Sequence, residues 1–144
     1  MKTKYLEVAK IIKKQMLQTE DRELKEYLGR TAISRAYEAV FLEIYYYFTE
    51  DLNVPYTEMK KIAKEYFKEK GIKPLPSINK HTATSAYLAV KYGEIFGKMY
   101  EDLRKARNDV DYYINLQYLN IKVVDKEVSD YIKISEVIIN EVIK

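Results

Sequence analysis

"LKEYLGRTAISRAYEAVFLEIYYYF", Leu24 to Phe48, is the stretch on which the fold turns. No proline interrupts it, and wound as a helix it is apolar on two sides. Ile33, Tyr37, Phe41, Ile44 and Phe48 share one side, and Leu28, Ala32, Ala36 and Ala39 another. A helix that must cover both sides needs neighbours on both, which predicts the central helix of a bundle. Its alanines let those neighbours approach closely.

Outward from this stretch the periodicity stays helical. Tyr5, Val8, Ala9, Ile12 and Met16 form a stripe that predicts a first amphipathic helix, followed by the polar junction "QTEDRE". Pro55 and Thr57 open a third helix, with Met59, Ile62, Ala63, Tyr66 and Phe67 inward and Gly71 as its stop. "GIKPLPSINKH" predicts a loop, because Pro74 and Pro76 deny helix hydrogen bonds. From His81 to Leu119 the chain again reads helical, as two segments meeting near Gly93; Gly93 and Gly97 together predict close helix packing. "YLNIKVV" has β-branched character but no strand to pair with, and is expected to be an extended linker. A last helix begins near Asp125, with Val128, Tyr131, Ile132, Ile138, Ile139 and Val142 as its stripe. The expected fold is all-α, an up-and-down bundle of five or six helices in one domain spanning residues 1–144.

Composition narrows the chemistry. The 144 residues carry 25 basic and 22 acidic side chains, a net charge of +3, too mild to coat nucleic acid by charge alone. There is no cysteine and one histidine, His81, so disulfide, thiolate and His-rich metal chemistry are not expected, and no cofactor is. No run reaches the ~18 apolar residues of a membrane span, and the basic N-terminus has no apolar core of a signal peptide. A cytoplasmic protein without membrane contact is expected. None of the four glycines forms a phosphate-cradling loop after a strand. Asp109 and Asp111, two apart on a helix, point in different directions and do not make a carboxylate pair.

Only five arginines occur, at 22, 30, 35, 104 and 107, and two of them lie in "DLRKARNDVDYYI", Asp102 to Ile114. Arg107 and Asp111 stand four apart, as do Asn108 and Tyr112, so each pair shares a helix face. The plain reading of Arg107–Asp111 is an ion pair on a surface worth a few tenths of a kcal/mol; the other is a phosphate-holding groove. His81, beside Lys80 at the start of a helix, reads either as an incidental exposed histidine or as an imidazole folded over that groove. A helix N-terminus would lower its pKa and favour the neutral form. Arg35 lies in the most apolar helix and must find a partner, with Glu38 or Glu43 as candidates. The 15 tyrosines read mainly as core and interface filling, or as base-stacking surfaces.

Two stretches together resemble a known family. "ISRAYEAVFLEIYYYF", Ile33 to Phe48, looks like the S-R-x-Y-x-A-x-F helix of small stand-alone HEPN proteins (higher eukaryotes and prokaryotes nucleotide-binding). Lys73 to Tyr113 looks like the family's later portion, closing on an L-R-x-x-R-x-x-x-D-Y pattern at Leu103, Arg104, Arg107, Asp111 and Tyr112. The resemblance covers residues 24 to 143 in helix order. It implies a helical homodimer, an RNA-directed role in toxin–antitoxin or defence systems, and for stand-alone members a small nucleotidyltransferase antitoxin as partner. Active members follow the arginine, after four to six residues, with a histidine. Here Arg107 and Asn108 are present, and the positions where that histidine would stand are Tyr112, Tyr113 and Ile114. Since imidazole suits proton transfer near neutral pH and tyrosine does not, the resemblance implies a weak or silent nuclease. The candidate catalytic residues are Arg107, Asn108, Tyr112 and His81, and the candidate RNA-binding residues are Arg104, Lys105, Arg35 and Lys80. Two other readings stay open: a metal-independent endoribonuclease using Arg107 with His81 or a tyrosine, and an interaction bundle whose groove residues are ordinary salt bridges.

Overall fold

The structure is a computed structural model describing residues 3–73, 77–112 and 125–143, with Tyr112 described in its backbone alone. Helices are the only regular elements among these residues. They run α1 Tyr5–Gln18, α2 Arg22–Tyr46, α3 Tyr56–Glu69, α4 Lys80–Tyr92, α5 Glu94–Tyr112 and α6 Asp125–Val142. Six helices match the expected all-α bundle. "YLNIKVV" and the pair Pro74 and Pro76 lie outside the described residues.

Local chemistry sets the helix ends. The polar junction before α2 supplies an N-cap, since Asp21 Oδ1 accepts from the Leu24 amide at 3.0 Å. Asn79 caps α4 in the same way, accepting from the Thr82 amide at 2.8 Å. α3 stops where expected: Gly71 adopts φ 71°, and the Ile72 amide donates to the Phe67 carbonyl at 2.8 Å, a Schellman closure that needs a left-handed residue. Gly93 does not pack helices together; at φ 118° it is the break between α4 and α5. The close packing belongs to Gly97, where an added Cβ would sit 2.6 Å from the Ala89 Cβ.

α2 is the central helix, contacting α1, α4, α5 and α6. Its two apolar sides serve two cores. One gathers Tyr37, Val40, Ile44 and Phe48 with Met59, Leu88, Tyr100, Leu103 and Ile138. The other joins Ala32, Ile33 and Ala36 to Ala9, Met16, Ala106, Val110, Val128 and Ile132. Full burial of each large side chain stabilises by roughly 1.5–3 kcal/mol. α1 turns differently from its expected stripe: Ala9 and Met16 are buried, but Tyr5 and Val8 are exposed. Past Tyr46 the winding widens into a π turn, Tyr47–Asp51, closed by the Leu52 amide on the Tyr47 carbonyl at 2.9 Å.

Candidate functional site

The site is built where α2, α4 and α5 meet. Tyr56, at the head of α3, donates its hydroxyl to the Ile78 carbonyl at 2.5 Å and so pins the segment leading into α4. Asn79 then starts the helix, and His81 in its first turn is directed onto α2 rather than into solvent. Its ring stacks on Phe41, with centroids 4.0 Å apart, and its Nδ1 is hydrogen-bonded to the Tyr37 hydroxyl. That hydroxyl lies 3.2 Å from the hydroxyl of Tyr100 on α5. Tyr37 and Tyr100 are both fully buried. Histidine 81 is therefore not an incidental surface group.

α5 brings the two arginines to the same place. The Arg107 guanidinium lies over the Tyr37 ring, 4.6 Å from its centroid. Arg104, one turn earlier, donates to Thr82 Oγ1 at 3.2 Å and pairs with Glu101 at 3.5 Å. Arg107 faces Glu38 and Asp111, each at 3.9 Å. Those separations offset charge but are too long for hydrogen bonds. Its Nε is buried and has no hydrogen-bond partner. With 15% of the side chain exposed, Arg107 is no surface ion pair, and the few-tenths reading does not apply.

The electrostatics follow from this crowding. Burial, and then the positive charges of Arg104 and Arg107, push the His81 pKa from 6.5 down to about 4. Those causes keep it neutral. Burial likewise raises Tyr37 to about 12 and Tyr100 well above its ordinary value. Both hydroxyls keep their protons, and neither serves as a base. Two guanidiniums and a neutral imidazole can grip an anion by charge and by donated hydrogen bonds, with the hydroxyl pair behind the imidazole.

Other expected residues fall elsewhere. Lys80 adjoins His81 and lies over the Tyr45 ring at 5.4 Å. Asn108 is half-buried on α5. The side chain of Tyr112 lies outside the described residues. Lys105 is exposed and lines a cleft against Asp102, Asp109, Glu127 and Asp130, away from Arg104, so it does not join the cluster. Asp109 in that cleft and Asp111 beside Arg107 diverge as their spacing requires. Arg35 pairs with neither Glu38 nor Glu43: Glu38 faces Arg107, and Arg35 donates to Ser34 Oγ at 3.1 Å and covers the Tyr5 ring. It stays half-buried because it lies at the edge of α2 under α1, not inside the core.

Two clefts flank the cluster. One, about 690 Å³, runs between α3, α4 and α5 from Ile72 and Ile95 to Thr82 and Arg104. The other, about 280 Å³, holds Ser34, Arg35 and Asp111. Tyr100 and Thr82 were not singled out from sequence; Tyr37 stood only as a core residue and the tyrosine of the S-R-x-Y pattern, and Glu38 only as a possible partner of Arg35. For Tyr37 the signals were its apolar stripe and the S-R-x-Y pattern, neither of which pointed to His81; for Tyr100 there was none.

Comparison with protein-family models, with curated proteins and with solved structures finds no match to this chain. Among the described residues, no helix is long and apolar enough to cross a membrane.

Proposed function

We propose that this chain is a HEPN-like, RNA-associated protein of toxin–antitoxin or defence type, in which Arg104, Arg107 and His81 hold an RNA phosphate with little or no cleavage. It acts in the cytoplasm as a homodimer, with a small nucleotidyltransferase as the fitting antitoxin partner. The all-α bundle and the motif residues support the family reading. One observation carries the binding reading: Arg107 keeps a buried, unpartnered Nε while its two carboxylate neighbours stand at 3.9 Å. A guanidinium held this way has donors left for a phosphate, and a charge-assisted bond of that kind is worth roughly 1.5–3 kcal/mol.

The test is fluorescence anisotropy with a short labelled single-stranded RNA at several salt concentrations. The protein should bind, with affinity falling as salt rises, and Arg107→Ala should weaken binding by about tenfold or more. No binding at micromolar protein, or an Arg107→Ala variant that binds like the parent, would overturn the proposal. Light scattering after gel filtration reads the dimer independently.

A second reading is favoured by the position of His81. A metal-independent endoribonuclease would use this imidazole with Arg107. Cleavage of the same RNA in EDTA, lost in both His81→Gln and Arg107→Ala, would establish it over the binding module.

A further inference from the structure

We infer that Tyr37 is a positioning residue which, backed by Tyr100, holds His81 in the tautomer that carries its proton on Nε2, so that the imidazole meets an anion as a neutral donor and not as a base. The inference deepens the anion-binding reading and rests on it for its function, but its geometry stands alone.

The direction of the chain follows from counting protons. Tyr100 is fully buried, and its hydroxyl has one hydrogen-bond partner among the described residues, the Tyr37 oxygen at 3.2 Å. A buried hydroxyl proton without an acceptor is costly, so Tyr100 donates to Tyr37. Tyr37, also fully buried, then has its own proton left for the other contact it makes, His81 Nδ1. An Nδ1 that accepts leaves the single proton of the neutral ring on Nε2. Reversing the chain, with Nδ1–H donating to Tyr37 and Tyr37 to Tyr100, strands the Tyr100 proton. That disfavours the opposite tautomer by roughly ten- to a hundredfold.

The surroundings reinforce the arrangement. From α2 the ring meets Tyr37 and Phe41, with Glu38 engaged by Arg107. From α5 it meets Tyr100 through Tyr37, together with Arg104, its partner Glu101, and Arg107. Lys80 precedes it on α4. No carboxylate makes an ion pair with the ring among the described residues, and the nearby cations oppose a second proton. Adding one would also require the Tyr37 hydroxyl to turn around, since Nδ1 is the nitrogen that must take it. His81 therefore offers an Nε2–H donor beside two guanidiniums and cannot accept the proton of a 2′-hydroxyl. The missing motif histidine is replaced in position but not in chemistry.

Because His81 is the only histidine, nitrogen-15 NMR of the ring reads it directly in the intact protein, without RNA. Expected is one tautomer with an unprotonated, hydrogen-bonded Nδ1 and a protonated Nε2, unchanged from about pH 8 to about pH 5. Tyr100→Phe touches no atom of the imidazole, yet it frees Tyr37 to turn and should raise the titration midpoint by about one unit, a tenfold change in proton affinity. Tyr37→Phe should raise it at least as far. A protonated Nδ1 in the parent, or midpoints unmoved in both variants with circular dichroism confirming their folds, would overturn the inference. Loss of RNA binding alone would sink the functional proposal and leave this one standing.

Discussion

His81 gives the residue scale its sharpest measurement, because its proton affinity differs between folded and unfolded chains. The unfolded imidazole titrates near 6.5 and the folded one near 4. Between those values the unfolded state binds more protons, so this residue's contribution is fully present above pH 6.5, is lost as pH falls toward 4, and changes no further below that. Discounted for partial solvent exposure, the effect is about 1–2 kcal/mol. Urea midpoints of the parent should fall between about pH 7 and about pH 4.5 by more than those of His81→Gln; equal slopes would contradict it. The half of the site on α5 was legible in sequence, because two scarce arginines stood in an apolar pattern. In the other half His81 was a candidate with two open readings, and its pairing with Tyr37 was not legible. Tyr37 and His81 lie 44 positions apart and meet through helix packing, which no local spacing encodes. Nor did spacing distinguish Lys105 from Arg104: neighbours on a helix differ by about 100° in direction, enough to send one toward α6 and the other toward α4.

At the scale of elements, periodicity and breakers placed the helices well, because apolar stripes and Gly71 act locally. What they left open was which glycine does what. The break near Gly93 was expected, but only the folded chain shows that the close packing belongs to Gly97 alone. An alanine at 97 meets Ala89 Cβ at 2.6 Å and its Cα at 3.2 Å, so Gly97→Ala should cost about 1–3 kcal/mol. Ala89→Gly should recover most of that loss in the double variant, measured by urea unfolding. At Gly93, with nothing within 4 Å, the cost of alanine is backbone strain of about 1–3 kcal/mol, and Ala89→Gly should restore none of it. Arg30 presents another case that sequence did not disclose. Its Nε, on α2, donates to the Val110 carbonyl of α5 at 3.2 Å, a buried bond between the two helices. Arg30→Ala should therefore destabilise by about 2 kcal/mol, read by thermal unfolding.

For the whole molecule, the two cores share α2, α5 and α6 and cannot separate without breaking those helices. Unfolding in urea should be a single transition, with far-ultraviolet circular dichroism and tyrosine fluorescence giving the same midpoint; two midpoints would show that the cores melt apart. The site lies along the seam, since Tyr37 and Tyr100 belong to one core while Ala36 and Ala106, their near neighbours in sequence, belong to the other. The π turn at Tyr47–Asp51 carries a different lesson. It holds one residue more than an α-helical turn needs, next to the exposed residues Leu52 and Asn53, the latter at φ 54°. The surplus is already absorbed there, so losing a residue between Thr49 and Asn53 would tighten the winding while leaving Phe48 and everything before it in place. A change in chain length is tolerable at this corner and ruinous inside α5, where it would swing Arg107 off Tyr37.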